Sequence, residues 1–91
     1  MRLDIGTGDD LVKLVRGAAA ESLVVVIAPD LLPLSMATMR AAIEPLAIER
    51  APHGRLNAVL PAATSDPAHV DAVVAFLERA ASTTGQLLEI S

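Results

Sequence analysis

Two runs of aliphatic residues constrain the fold of this chain more than any other feature. SLVVVIA (residues 22–28) is unbroken and rich in β-branched side chains, and Leu56–Leu60 is nearly as apolar. Runs of this length and composition are typical of strands covered on both faces. Shorter extended stretches lie at Arg2–Ile5 and Gln86–Ile90. The sequence therefore predicts four strands, of which the second and third are buried.

Helical patterns alternate with these strands. Apolar residues recur every three or four positions in three segments, which are Asp9–Ala19, Ser35–Ala51 and a stretch from Pro67 to about Ala81. Strands that alternate with helices at this spacing indicate a parallel α/β sheet. We therefore predict one small α/β domain with a βαβαβαβ order over residues 1–91.

Individual residues predict where the helices begin and end. Ser35 is expected to cap the second helix, and Gly54 to end it in the left-handed conformation. Asp66 followed by Pro67 is typical of a helix start, because a proline at the first helical position loses no hydrogen bond. Pro45 should bend or break the second helix, since it lacks the N–H of an ordinary helical residue.

Covering both faces of this sheet requires an unusual connection or a partner. If the strands follow one another in order, right-handed crossovers place all three helices on one face. The other face would present about 300 Å² of apolar surface in projection. Leaving it in water would forfeit roughly 8 kcal/mol, as much as the stability of a whole domain.

Composition excludes several classes of function. The net charge is −4, and the seven cations are scattered, so nucleic-acid binding is not expected. The chain contains no cysteine, tyrosine or tryptophan, and Phe76 is its one aromatic residue. Its longest apolar run, Leu23–Pro29, is far too short to span a membrane. We expect a cytoplasmic protein without a disulfide or a thiolate metal site.

Two longer stretches resemble the C-terminal half of short-chain dehydrogenases/reductases. LAIERAPHGRLNAVLPA (residues 46–62) is similar to the family segment in which the active-site helix ends and the sixth strand begins. DPAHVDAVVAFLERAASTTGQLLEIS (66–91) is similar to the last helix and strand. The resemblance implies a left-handed crossover between the last two strands. It therefore implies a Rossmann-like half-domain with the strand order 1-2-3-4 and helices on both faces, and an asparagine, Asn57, that anchors backbone.

The residues that carry catalysis in that family are not matched. The family places Tyr-x-x-x-Lys at the start of the active-site helix. Alignment from APHG puts Leu32 and Met36 at those positions, and a one-turn deletion puts Met36 and Arg40 there instead. The family serine falls at Ala28 or Pro29. Neither register supplies a general acid, so we expect no catalytic residue.

The cofactor fingerprint is also incomplete. Gly6-Thr7-Gly8 follows a strand, but Leu11 stands where the third glycine belongs. Asp9 and Asp10 would repel a pyrophosphate at the following helix. The segment is better interpreted as a turn and a cap. The family's substrate lid is reduced to the four residues 62–65. We therefore predict no bound cofactor.

Other chemistry has little support in the sequence. Ser35 and His53 lie at opposite ends of one helix, about 25 Å apart at 1.5 Å per residue, and cannot form a triad within one chain. His69 and Asp71 point in different directions from the third helix. Two histidines and scattered carboxylates lack metal-ligand spacing, so no metal site is expected.

Three functions remain as hypotheses. The first is a non-catalytic oligomerisation or protein-interaction module. The second is an accessory subunit of a separately encoded reductase-like protein. The third is an enzyme with a composite site at a dimer interface, drawing on Asp30, Ser35 or Arg40. The resemblance implies assembly through the second helix, or through the third helix with the last strand, as a homodimer or a heteromer. The candidate interface residues are Met36, Ala37, Ala41, Ile48, Ala72, Ala75, Phe76 and Leu88.

Overall fold

The computed structural model describes residues 1–91 as alternating strands and helices. In chain order they are β1 (Arg2–Ile5), α1 (Leu11–Gly17), β2 (Ser22–Ile27), α2 (Pro33–Arg50), β3 (Arg55–Pro61), α3 (Pro67–Arg79) and β4 (Leu87–Ile90). All the predicted elements are present. Their ends differ from the predicted ends by a few residues, and most at α1, which is shorter at both ends. None of the helices is long and apolar enough to cross a membrane.

The four strands form one parallel sheet in the order β1-β2-β3-β4, as predicted. Val25 pairs with Leu3 on one side and with Ala58 on the other, and Val59 pairs with Leu88. The central strands are therefore hydrogen-bonded on both edges and covered on both faces. This arrangement explains why their sequences are apolar without alternation.

Each face of the sheet has its own hydrophobic core. On one face, Leu23, Val25 and Ile27 of β2 pack beneath α1 and α2 in a cluster of 13 buried residues. On the other face, Val24 and Val26 pack beneath α3 in a cluster of 7 buried residues. Alternate β2 residues supply the two cores because successive side chains of a strand point to opposite faces.

The connection from β3 to β4 differs in hand from the other two. All three connections step across the sheet in the same direction, but α3 lies on the face opposite to α1 and α2. A crossover that steps the same way on the opposite face has the opposite hand, which is rare among parallel connections. The predicted placement of α3 is confirmed, and it removes the bare face that three like-handed crossovers would leave.

Two of the predicted helix starts can be compared directly. Asp66 caps α3 as expected, because its carboxylate accepts a hydrogen bond from the Ala68 N–H at 2.9 Å. The expectation that Ser35 caps α2 is wrong. The helix begins two residues earlier, with Leu32 as an extended N-cap residue and Pro33 at the first helical position. The fixed φ of proline favours that start without a capping side chain.

The expectation that Gly54 ends α2 in the left-handed conformation is wrong. Positive φ angles occur only at Gly8 and Gly85, so Gly54 is not a left-handed terminator. A Cβ at position 54 would lie 3.3 Å from Nε of Arg50. The glycine therefore gives the Arg50 side chain room to fold back beneath the end of α2.

Helix α2 continues through Pro45 as one element, so the predicted break is not there. Pro45 and Ala41 are both exposed. Water can reach this part of the helix and satisfy the Ala41 carbonyl, which lacks its usual N–H partner.

Asn57 is the one buried polar residue, and it holds β3 to the segment before β4. Its side-chain amide donates to the carbonyl oxygen of Thr83 at 2.9 Å, and its Oδ1 accepts from the N–H of Gln86 at 3.1 Å. The expected backbone-anchoring role is confirmed. A fully buried amide is tolerated here because both of its ends have backbone partners.

Candidate interaction surfaces

The largest groove lies at the carboxyl end of the sheet, between the turn after β1 and the start of α2. It has a volume of about 450 Å³, and its apolar wall includes Leu11, Leu34 and Met39. Its carboxylates serve the local turns, since Asp9 accepts from the Gly6 N–H at 2.8 Å and Asp10 from the Lys13 N–H at 3.1 Å. This geometry confirms that Gly6-Thr7-Gly8 forms a turn followed by a cap.

The residues considered for a composite site are not gathered in one pocket. Ser35 lines the large groove, whereas Arg40 lines a shallower one and forms an ion pair with Glu89 of β4. Asp30 lies in an exposed turn. His53 and His69 are exposed on different elements, and no three His, Asp or Glu residues are placed to hold a metal ion.

The outward face of α2 exposes large apolar side chains. Leu34 is 80% exposed and Ile48 is 68% exposed, and Ala41 lies between them on the same face. We call these three residues the outer seam. Ala37 is also exposed there, but Met36 is half-buried against the core beneath α2. Leu34 was absent from the predicted interface because the sequence placed it before the start of the helix.

A second apolar surface lies beside α3 and the edge strand β4. Phe76 is 62% exposed, and Leu88 is on the same sheet face as the buried Ile90, two residues away. We call Phe76 and Leu88 the α3–β4 patch. Ala72 is exposed and Ala75 is half-buried on the same helix.

The opposite flank of α3 is charged. Arg2 of β1 lies 2.6 Å from Asp71, and the N-terminal ammonium lies 2.7 Å from Glu78. Hydrogen bonds from the Arg2 guanidinium to Asp71 and then to Asp4 raise the pKa of Arg2 above its ordinary value. Phe76 projects about 140–160° away from Asp71 and Glu78 around the helix. The exposed apolar surface is thus confined to the β4 flank.

Comparison with known proteins decides the family of this chain. A family model described as "Short chain dehydrogenase-like protein" matches residues 8–90 of the 91 residues. The chain belongs to the short chain dehydrogenase-like family. The search of curated proteins and the search of solved structures both found no match.

Membership of the short chain dehydrogenase-like family gives a context to the residues at the start of α2. Leu32 is one of the residues aligned with the catalytic Tyr and Lys of short-chain dehydrogenases/reductases. It is 75% exposed and lies just before the start of α2. Met36 packs against the core, and Arg40 points to Glu89 at the sheet edge. None of these side chains carries a phenol or an amine, in either alignment register. The short chain dehydrogenase-like fold is present here with different side chains at those positions.

Proposed function

We propose that this short chain dehydrogenase-like half-domain is a non-catalytic oligomerisation or protein-interaction module. One observation carries the proposal. Three of its largest exposed apolar side chains, Leu34, Ile48 and Phe76, stand on the outward sides of α2 and α3. Exposure of these side chains does not stabilise a monomer. Their burial against a partner stabilises the complex by roughly 1.5–3 kcal/mol for each side chain fully buried.

The chemistry at the start of α2 supports a role without catalysis. General acid–base catalysis needs a titratable group within hydrogen-bond reach of the reacting proton. Leu32 and Met36 have no ionisable group, and Arg40 is held in an ion pair with Glu89. The groove beside them is lined by apolar residues, by the hydroxyl groups of Ser35 and Thr38, and by carboxylates that already close local turns.

A second candidate function is an accessory subunit of a separately encoded reductase-like protein. The observation that favours it is the outer edge of β1, whose backbone has no strand partner, since β1 pairs only with β2. A strand from another protein could extend the parallel sheet there by edge pairing. The charged side chains of Arg2 and Asp4 on this short strand make the apolar surfaces of α2 and α3 the better docking sites.

The test combines cofactor binding with measurement of mass in solution. Calorimetric titration with NADH and NADPH should give no dissociation constant in the micromolar range, which corresponds to about −8 kcal/mol. Light scattering over a concentration series should show a mass above that of one chain, or affinity capture from the native host should yield a stoichiometric partner. Micromolar cofactor binding with turnover of a carbonyl substrate would overturn the proposal.

A further inference from the structure

The outer edge of β1 offers free backbone groups to a partner strand, because β1 pairs only with β2. Alternate residues of an edge strand direct their N–H and C=O groups toward the paired strand. The carbonyl oxygens of Met1 and Ile5 accept hydrogen bonds from the β2 side of the sheet, so Arg2 and Asp4 direct their backbone groups outward. The next residue of this outward series, Gly6, already uses both backbone groups in the turn that follows.

The side chains of this edge select one register for pairing with a second copy. An antiparallel partner must place one outward residue opposite another, because each such pair exchanges two backbone hydrogen bonds. Arg2 opposite Arg2, or Asp4 opposite Asp4, would set like charges directly across the strands, which is destabilising. Arg2 opposite Asp4 instead gives two pairs of opposite charges and satisfies all the outward groups of both residues. This register places Leu3 of both copies at a two-fold axis, as a closed dimer requires.

The same charges distinguish a second copy from an arbitrary strand. Arg2 bonds Asp4 and Asp71 of its own chain, and charged side chains on a short edge strand discourage pairing with an apolar segment. A second copy of β1 brings an opposite charge to each of them in the correct order. The edge is therefore better suited to its own copy than to an apolar strand of another protein.

An exposed apolar side chain accompanies this edge on the face covered by α1. Val12 packs against the shared core and Arg16 bonds Glu49, so both lie on the flank of α1 that faces α2. Leu14 lies about 160° from both around the helix, on the flank toward β1, and is 40% exposed. A two-fold axis at Leu3 keeps both α1 helices on one face of the joined sheet. Leu14 of each copy is then turned toward the other copy.

We propose that β1 pairs antiparallel with β1 of a second copy, with Leu3 at the two-fold axis and reciprocal Arg2–Asp4 ion pairs, so that the two sheets become one. The inference rests on the proposed interaction function and gives it a further surface. The pairing leaves the outer seam and the α3–β4 patch free, because β1 is the edge strand opposite to β4 and α2 packs over β3. Because the paired strands are short, we expect a dimer that dissociates on dilution.

Residue-resolved hydrogen exchange of the wild-type chain shows whether this edge is paired. The N–H groups of Arg2 and Asp4 should exchange more slowly at high micromolar than at low micromolar concentration, because the second copy accepts hydrogen bonds from them. Exchange rates of these two groups that do not depend on concentration would overturn the edge pairing, whether or not the chain associates through another surface.

A cysteine at the two-fold axis tests the register, since the chain has no cysteine of its own. Facing Cα atoms of an antiparallel pair without mutual hydrogen bonds lie about 4.5 Å apart, within the range of about 4.4–6.8 Å that a disulfide spans. With diamide as the oxidant, Leu3→Cys should crosslink to itself. Ala72→Cys, which is exposed on α3, is the matched control and should not crosslink. Circular dichroism melts check that each variant is folded.

Charge reversal tests the reciprocal Arg2–Asp4 pairs. The double variants R2D/L3C and D4R/L3C carry two acidic and two basic side chains on the edge, respectively. Each variant alone sets like charges across the strands and should crosslink at least about tenfold less than L3C. An equimolar mixture of the two should restore crosslinking, as a mixed dimer identified by its mass. Crosslinking of either double variant alone at the L3C level would overturn the register.

Two other results separate this inference from the proposed function. If L3C stays uncrosslinked while light scattering shows a mass above that of one chain, the edge pairing is wrong and the interaction function stands on the helical surfaces. If the N–H groups of Arg2 and Asp4 are protected only by a protein captured from the native host, the edge takes a foreign strand and the second copy is wrong. The interaction function itself fails only on cofactor binding with turnover.

Discussion

The guanidinium Nη1 of Arg50 lies 3.1 Å from the carbonyl oxygen of Val15 and at the same distance from that of Ala18. Nη2 of Arg50 bonds the carbonyl of Ala20 as well. One side chain at the end of α2 thus caps the end of α1 and fixes the loop that leads into β2. It couples two helices that share one core to the loop that precedes the central strand.

Replacing Arg50 by alanine should lower the free energy of unfolding by about 2 kcal/mol, because several carbonyls lose a charged donor. Arg50→Lys should lower it less, since an ammonium keeps one or two of these bonds but not the planar fork. Arg79→Ala, at an exposed arginine on α3 without an ion pair, is the matched control and should change the stability by less than about 0.5 kcal/mol. Urea denaturation followed by circular dichroism measures all three. Equal stabilities for R50A and R79A would contradict the capping role.

Asn57→Ala should also be destabilising, by about 2–3 kcal/mol. The variant removes a fully buried amide and leaves the part-buried Thr83 carbonyl and Gln86 N–H without their partner. Gln86→Ala is the control, because Gln86 contributes only its backbone N–H to this contact and its side chain is exposed. The same denaturation experiment, with hydrogen exchange at Gln86, locates the loss. A stable N57A with a protected Gln86 N–H would show that another group replaces the amide.

The sheet could be predicted from the sequence, but the helices that cover each of its faces could not be predicted from local patterns. The unbroken apolar run of β2 requires cover on both faces, and Val24 and Val25 do enter different cores. Local patterns cannot decide which helix covers which face, because the preference for right-handed crossovers places all three together. Only the resemblance to a family with a left-handed last crossover implied the position of α3 correctly.

One residue of the outer seam, Leu34, was not predicted, although Ala41 and Ile48 were. Ser35 is a good capping residue, so the predicted helix began there and excluded Leu34. Pro33 is an equally good first residue of a helix, and the structure begins α2 at that proline. A shift of two residues turns Leu34 from a loop residue into one end of a line with Ala41 and Ile48. The exposure of these side chains depends on packing, which the sequence pattern of a nearly all-apolar helix does not reveal.

The ion pair between Arg16 and Glu49 should make stability depend on pH in the acidic range. Their bidentate contact, at 2.9 and 3.0 Å, lowers the pKa of Glu49 from its ordinary value of 4.5, chiefly through the hydrogen bond from Arg16. A carboxyl whose pKa is lower in the folded state stabilises the fold above its ordinary pKa. This stabilisation is lost as the pH falls through the lowered value.

The Glu49→Gln variant should therefore lose less stability than the wild type as the pH falls below the ordinary glutamate pKa of 4.5. Asp30→Asn, at an exposed carboxylate without an ion pair, should keep the wild-type profile. Because the pair is exposed, about 1 M salt should reduce the difference. Denaturation curves at each pH give the comparison, and identical profiles for E49Q and the wild type would exclude a contribution from this pair.

Pro45→Ala should raise the free energy of unfolding by about 1–3 kcal/mol. Alanine restores the N–H that bonds the Ala41 carbonyl, and it has the highest helix propensity of any residue. Pro45 is exposed, so little packing within the chain is lost. Thermal melts at a concentration low enough to hold the monomer measure the effect. If P45A were more stable but failed to self-associate, the local geometry at the proline would belong to the interface.

Introducing a single charge into each apolar surface can distinguish which of the two mediates self-association. Ile48→Asp places a carboxylate in the outer seam, and Phe76→Asp places one in the α3–β4 patch, at residues of similar exposure, 68% and 62%. A buried charge without a partner costs about 3–5 kcal/mol. At 1.4 kcal/mol for each tenfold change, I48D should weaken self-association by at least about a hundredfold. F76D should leave the mass measured by light scattering unchanged. Dissociation by F76D and not by I48D would assign the interface to α3 and β4, and equal effects of both would indicate that the two surfaces act in one larger assembly.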